Sequence, residues 1–459
     1  MEQATRIDAV NLMVQGALAL SEVESNGICV DVPYMEQQIN DKETGLDARI
    51  RRIHDKLKDM EEVRLWQKTF GRDFNLDSND QLAEVLFKHL GHKPLRFTDS
   101  GKPSVDEEAL EMLDIGMVQG LMKMRKLQRT RNTYLTGILR ETVDGFIHPI
   151  FKLHTVRTYR GSCSNPNFQN QPIRDPLMGA IIRKGFRCRP GHRLLEFDFK
   201  GLEVCIGTCY HKDGNMIEYI CDESKDMHRD MASECYCLPL SEVSKTIRYC
   251  GKNMFVFPQF YGDYYVRCAE SLWAAVEKMK LTTVSGKPLR THMNEQGWKT
   301  LASFTKHIQK VEKDFWGTRF RDYDEWKSEH FDQYLRRGFF DLLTGFRCSG
   351  VMSFNDVSNY PVQGAAFHCL LWTLIQTQKW LSLSKGPWEE SRSCIIGQIH
   401  DSMIIDAHHE EVPEIITYVN HVVEKELPAA WPWIIIPLKV EVKQSEVDGN
   451  WWEMKEVKQ

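Results

Sequence analysis

Arg248 and Lys252 stand four residues apart and run into Phe255-Val256-Phe257-Pro258-Gln259-Phe260-Tyr261-Gly262. On a helix the two cations share one face, and their repulsion costs about 0.2–0.5 kcal/mol unless an anion lies between them. Cations followed by ring faces suit a nucleotide, with phosphates on the charges and a base on a ring. Taken alone, the stretch reads equally well as an amphipathic helix with a solvated basic edge.

Asp198 and Asp401 supply a second kind of chemistry. Residues 194–199 (LLEFDF) read as a buried strand with Asp198 near its end, and 394–406 (CIIGQIHDSMIID) as a hairpin with Asp401 at its tip. If these strands are neighbours, two carboxylates face each other, and their repulsion raises a pKa unless a cation sits between them. Oxygen ligands with room for water and phosphate suit magnesium better than zinc. Two ions about 3.5–4 Å apart would hold the attacking and leaving oxygens of a phosphoryl transfer. Two strand-end aspartates by themselves more often cap turns, but Arg248 and Lys252 add the clamp a triphosphate needs.

At 459 residues and 42% hydrophobic, the chain can bury cores for two or three subdomains. No apolar run approaches the roughly 20 residues of a membrane span, and MEQATRIDAV is no signal peptide. Thirteen cysteines without CxxC spacing fit reduced thiols in a cytoplasmic compartment. The net charge of −5 decides nothing, because nucleic-acid binding depends on where charge sits. Lys123, Arg125, Lys126, Arg129 and Arg131 form one run without an acid. Lys152, Arg157, Arg160, Arg174, Arg183, Lys184, Arg187, Arg189 and Arg193 form a second, opposed by Asp175 alone. Two such runs favour a phosphate-backbone track.

The elements that would position these groups follow from periodicity. Residues 1–60 read as helix, with an apolar period through Val10, Leu12, Met13, Ala17 and Leu20, a break at Gly27 and a continuous helix from 34 to 60. Further helices are expected at 82–90, after a Ser104 cap, and through the basic run to Arg140. A short strand at 146–153 precedes a polar loop at 154–172, and helical periodicity fills 202–337. A hairpin at 339–346, a polar segment at 355–363, helices at 364–383 and 412–427, and a last strand at 434–442 complete the chain.

In this order the chain resembles the family A DNA polymerases, the bacterial DNA polymerase I family. Asp198-Phe199-Lys200-Gly201-Leu202-Glu203 is similar to the family's first palm motif, Arg248 to Gly262 to its fingers motif, and Gln398-Ile399-His400-Asp401 to its last palm motif. Arg160-Gly161-Ser162 with Asn165 to Asn170 resembles its primer-template loop, and Asp226-Met227-His228-Arg229 its DIHR element. Asn359 to Gly364 resembles its minor-groove segment, residues 22–31 the start of its thumb, and 449–452 its C-terminus.

The resemblance implies an α+β right-hand polymerase: a helical thumb (1–145), an antiparallel-sheet palm (146–215 with 338–459) and helical fingers (216–337). Asp198, Asp401 and the Phe199 carbonyl would bind two magnesium ions, which manganese could replace. Arg248, Lys252 and His228 would hold the incoming triphosphate, Lys252 would protonate pyrophosphate, and Tyr261 and Glu203 would exclude a ribose hydroxyl. Arg160, Asn167, Gln169, Asn170, Asn359, Gln363 and His400 would contact primer and template. The implied partners are primer-template DNA and dNTPs, with exonuclease, helicase or processivity proteins on other chains and no membrane.

Four departures stand out. Ser402 replaces a usual glutamate; Lys252 and Tyr261 are nine residues apart where the family has eight, with Pro258 between; Asn355 and Cys205 replace arginines. An extra helical residue is commonly absorbed as a π-bulge, which leaves Phe257, rather than Val256, facing the sugar. With the thumb at the start of the chain, no proofreading or 5′ nuclease domain is expected in it, a pattern that suggests a bacteriophage-type enzyme. Two other readings fit parts of the pattern. A single-subunit RNA polymerase is opposed by Glu203 and Tyr261, and a silenced DNA-binding homologue by retention of Asp198, Asp401, Arg248 and Lys252.

Overall fold

The computed structural model describes residues 4–98, 100–173, 175–222, 224–383 and 392–457. Asp99 of the turn before Ser104 and Arg174 of the second basic run lie outside these described residues.

The apolar runs pair as one antiparallel sheet. Its strands are β1 (His192–Phe199), β2 (Cys394–Ile399), β3 (Ser402–His408), β4 (Val440–Gln444) and β5 (Lys455–Glu456), in the order β5-β4-β1-β3-β2. β1 and β3 register from His192 opposite His408 to Asp198 opposite Ser402. β3 is buried from Ser402 to Ala407, with the apolar Met403, Ile404 and Ile405 at its centre and the buried Asp406 after them. The last long strand lies at 440–444 rather than 434–442, because Pro437 offers no N–H to a ladder.

Around the sheet, α1 (Arg6–Asn26) packs on β2 and on the helix Phe354–Leu383. Its buried face is Ala9, Leu12, Gly16, Ala19, Leu20 and Val23, so the expected Val10 and Ala17 face outward, Val10 at 60% exposure. Small residues set this face: a Cβ on Gly16 would come within 2.8 Å of Leu371. The helix expected from 34 to 60 is two, Val32–Asn40 and Leu46–Lys58. Asp41 divides them by accepting the N–H groups of Glu43 and Thr44. Asp106, not Ser104, caps Glu107–Glu111 by accepting Ala109 N–H at 2.7 Å.

The fingers motif lies on α2 (Lys245–Gly251), a π-helical turn Lys252–Val256, and α3 (Phe257–Phe260). The extra residue is therefore absorbed as the expected π-bulge. Pro258 falls at the second residue of α3, directly after the π-turn, inside a continuous helical run. α4 (Tyr265–Lys278), α5 (Leu301–Asp314), a π-turn Phe315–Arg319 and α6 (Arg321–Arg337) enclose it.

The segment 355–363 is not a separate polar stretch but the start of one helix, α7 (Phe354–Leu383), with Pro361 inside it. Asn355, Asn359 and Gln363 fall on one helical face while Val357, Ser358, Pro361 and Val362 are buried. The strand expected at 146–153 is two. Phe146–Ile147 pairs with Ile28–Cys29, and Ile150–Lys152 pairs with Ser162–Ser164 inside the expected loop.

Hydrophobic side chains form three cores: residues 57–124, residues 216–323, and a large one joining α1, the sheet and α7. No helix among the described residues is long and apolar enough to cross a membrane. All thirteen cysteines are free thiols.

Part of the second basic run serves the fold rather than a phosphate track. Arg183 is buried 3.8 Å over the Trp451 ring, Arg187 pairs with Asp31, and Arg189 donates to the Asn26 carbonyl and packs by Asp406. Arg193 donates to the Ser445 carbonyl. In the first run Arg131 pairs with Asp47 and Lys126 with Asp175. Trp451 also stacks on Phe168 at 5.0 Å and donates to Glu196 at 3.0 Å, which pins the loop carrying Gln169 and Asn170 to the sheet. Trp451→Ala is expected to cost about 3–5 kcal/mol in urea unfolding; a cost below about 1 kcal/mol would show that this clamp is not part of the core.

Candidate active site

Asp198 sits one residue before the end of β1, and Asp401 in the two-residue turn between β2 and β3. Phe199 N–H donates to the Asp401 carbonyl at 3.2 Å, so the backbone itself joins the two positions. His400, first in the turn, takes a positive φ of 49°, a conformation usual for glycine there. Its carbonyl accepts the Gln398 carboxamide at 2.7 Å, and Gln398 in turn accepts Gln169 at 2.6 Å. The loop at 165–170 thus braces the turn.

The electrostatics around these carboxylates are unfavourable. Burial, then Glu196, pushes Asp198 up to about 6, with Lys443 opposing. Burial, then Glu203, pushes Asp401 up to about 6, with Arg160 opposing and Asp198 adding. Glu441 on β4 is the direct cross-strand partner of Asp198. Ser402 does not point a substitute oxygen outward; its hydroxyl donates to the Ile399 carbonyl at 3.0 Å. Among the described residues no group of three or more His, Cys, Asp or Glu side chains is arranged to hold a metal ion. The donor set here is two carboxylates and backbone carbonyls.

Glu203 rises from the first turn of the helix Leu202–His211, just after Gly201 in the left-handed region. It accepts the Tyr261 hydroxyl at 2.9 Å and pairs with Arg160. One chain of polar contacts therefore links Tyr261 after α3, the helix that follows β1 and Arg160 of the loop at 154–172. Glu203, Phe257, Tyr261, Asn359 and Gln363 line a single cavity, whereas Val256 is fully buried.

Arg248 and Lys252 do need an anion, and the chain supplies one. Arg248 Nε donates to Asp226 at 2.6 Å. Asp226 also caps the helix Met227–Tyr236, which carries His228. That helix lies close to α2 because residue 251 is glycine: a Cβ there would meet the His228 carbonyl at 2.9 Å and Ala232 at 2.7 Å. Burial, then Lys252 and Arg248, pushes His228 down to about 4, and its buried Nδ1 has no hydrogen-bond partner among the described residues. Lys252 Nζ lies 5.1 Å from the Phe257 ring centre.

Gln169, Asn170 and His400 line a cleft of about 640 Å³ together with Lys126, Arg129 and Tyr134 of the helical N-terminal part. Asn167 is exposed and lines neither cavity; its carbonyl accepts Gln171. Sequence reasoning missed Asp226, although it lies in the DIHR-like element, and Gln398, although it opens the last motif. It also missed Gln259, whose buried carboxamide joins Glu312 and Trp316. No sequence signal marks that pairing across more than fifty residues.

The comparisons with known proteins agree with this architecture. The profile of DNA polymerase family A matches residues 43–284, more than half of the chain, and the chain belongs to that family. A DNA polymerase of Bacillus phage SP01 is 26% identical over 460 aligned residues, covering 90% of this chain and 47% of that protein. The thermostable DNA polymerase I of Thermus aquaticus is 25% identical over 456, covering 95% and 47%. The chain thus spans about half the length of the curated relatives it matches. The polymerase domain of Pol1 from M. smegmatis, solved with DNA primer-template and dNTP, aligns with a TM-score of 0.72 at 24% identity. That alignment covers 96% of this chain and 70% of that one, and its fold is the expected α+β right-hand polymerase.

The folded pKa of each aspartate lies above its ordinary 3.8. Between about pH 4 and 6 the folded chain therefore binds more protons than the unfolded one, and stability falls as pH rises through that window. In chelator at pH 7.5, Asp401→Asn should raise stability by about 1–3 kcal/mol, a gain that shrinks at pH 5. Chemical denaturation at both pH values checks this, and a loss of stability at pH 7.5 would contradict it.

Proposed function

We propose that this chain is a DNA-templated DNA polymerase that adds dNTPs to a primer 3′-hydroxyl. The observation that carries the reading is the placement of Asp198 and Asp401 at one sheet end, opposite the Tyr261–Glu203 contact from the fingers motif. Residues 216–337 would act as fingers, 146–215 with 338–459 as palm, and 1–145 as thumb, anchored on the palm through α1.

The donor set suits magnesium: hard oxygen ligands, two of them carboxylates whose pKa burial raises. Asp198, Asp401 and the Phe199 carbonyl would hold two ions, with manganese able to replace magnesium; when bound, they neutralise charge on the transferred phosphate and favour the primer alkoxide. Arg248 would exchange Asp226 for a triphosphate oxygen, a swap of one anion for another at little electrostatic cost. His228, neutral at pH 7, would offer a hydrogen bond rather than a charge. Lys252 would donate the proton that departing pyrophosphate takes up. Phe257 would lie against the sugar, and Tyr261 held by Glu203 would fill the space of a 2′-hydroxyl.

Arg160 would leave Glu203 for the primer minor groove, where acceptors common to all base pairs permit a check of pair shape. Asn359 and Gln363 face the same cavity from α7, and Asn167, Gln169, Asn170 and His400 would meet the template and primer backbones. Separate exonuclease, helicase or processivity proteins would complete the replication machinery. The thirteen free thiols fit work in the cytoplasm of a bacterium or phage-infected cell.

Extension of a labelled primer on a DNA template, with magnesium and either dNTPs or rNTPs, tests the reading. Template-directed dNTP addition with rNTPs rejected is expected; tight DNA binding without any extension would favour a silenced homologue. Asp198→Ala and Asp401→Ala should each reduce incorporation by about a thousandfold or more while primer-template affinity stays within a few fold. Full activity in either variant would remove the aspartates from the chemistry. Glu203→Ala should admit rNTPs or lose turnover, and unchanged ribonucleotide exclusion would take it out of the sugar gate.

A further inference from the structure

Gln259 lies on α3 between Phe257 and Tyr261, yet its side chain is only 2% exposed and faces away from the nucleotide cavity. Every polar atom of its carboxamide is used. Nε2 donates to Glu312 Oε1 at 2.7 Å and lies 3.5 Å from Cys268 Sγ, and Oε1 accepts Trp316 Nε1–H at 2.7 Å. Glu312 on α5 also accepts a backbone N–H from Tyr265 at the start of α4, a helix whose own N-cap residue supplies no side-chain cap. Three elements of the fingers therefore meet on one carboxamide.

The π-turn Lys252–Val256 makes this arrangement consequential. One extra residue rotates everything after it by roughly 100° on a helix. Without a fixed point beyond the bulge, the segment 257–261 could settle in more than one rotation about its axis. Apolar contacts of Phe260 with Phe315, Trp316, Phe320 and Tyr323 hold the segment against the core but are less directional than hydrogen bonds. A fully satisfied buried amide does not tolerate such a shift, since any other rotation strands its donors and acceptors.

We infer that Gln259 is a positioning residue for nucleotide selection: bonded to Glu312 and Trp316, it fixes the rotation of the helix beyond the π-turn so that Tyr261 reaches Glu203 and Phe257 faces the cavity. The inference rests on the polymerase reading and deepens its account of sugar selection. Gln259 touches neither substrate nor metal, and it acts through Tyr261.

The test compares dNTP and rNTP incorporation by the full chain and its variants. Gln259→Leu should lower the ratio of kcat/KM for dNTP over rNTP by about tenfold, raise KM for dNTP, and change kcat by less than about threefold. The same substitution in a Tyr261→Phe background should add little, because both act on one contact. Gln259→Glu sets two carboxylates face to face and should lose selectivity, and adding Glu312→Gln should restore it. Trp316→Phe, which removes the donor to Oε1 together with part of the ring packed on Phe260, gives the same readout if Gln259→Leu does not fold. Unchanged selectivity in a variant with native melting temperature overturns the inference, as do fully additive losses in the Tyr261→Phe background. An unvaried chain that extends no primer overturns the polymerase reading instead, so the two failures are distinct.

Discussion

Burial disfavours the charged forms of Asp198 and Asp401, neighbouring acids disfavour them further, and the sheet end of this protein holds both carboxylates against that cost. Asp198 and Asp401 are joined through the backbone, surrounded by Glu196, Glu203 and Glu441, and opposed mainly by Lys443 and Arg160. Such a cluster costs folding energy, so the surroundings must impose it. A long register between β1 and β3, a strained turn at His400 and the Gln398–Gln169 brace all serve that end. Burial of β3 from Ser402 to Ala407 supplies the hydrophobic energy that keeps the turn in place.

Positive charge near these acids is balanced within the chain. Asp226 sits on Arg248, and Arg160 sits on Glu203, so each cation has a carboxylate partner that the proposed function would have it exchange for phosphate or DNA. Exchange of like for like keeps the resting protein stable and lowers the cost of binding. Tyr261 bridges the two sides through Glu203, and Gln259 ties the helix that carries it to α5 and to the Trp316 π-turn.

The sequence made the long, strongly patterned elements legible. The strand carrying Asp198 and the hairpin with Asp401 at its tip follow from residue types and spacing, and the π-bulge after Lys252 follows from the one-residue difference from the family's spacing. Elements defined by small or polar residues were harder. The inner face of α1 is set by Ala9, Gly16 and Ala19, which carry little hydrophobic signal. The first turns of α7 hid behind Asn355, Asn359 and Gln363, of which Asn359 and Gln363 line a cavity instead of open solvent. The strand at 434–442 failed at Pro437. Arg183 and Arg189 looked like a phosphate track because charge in a sequence does not reveal its partner, and here the partners are Trp451 and Asp406. Within the site, residue types were readable, while the Asp226 and Gln259 contacts needed three dimensions.

The central claim is that the Asp198–Asp401 pair exists to hold divalent cations. Direct titration of Mn²⁺ into the chain, followed by its paramagnetic resonance signal with primer-template and a non-hydrolysable dNTP present, tests it. The account predicts uptake by the unvaried chain that is lost in both Asp198→Asn and Asp401→Asn. Equal uptake by all three proteins would contradict it.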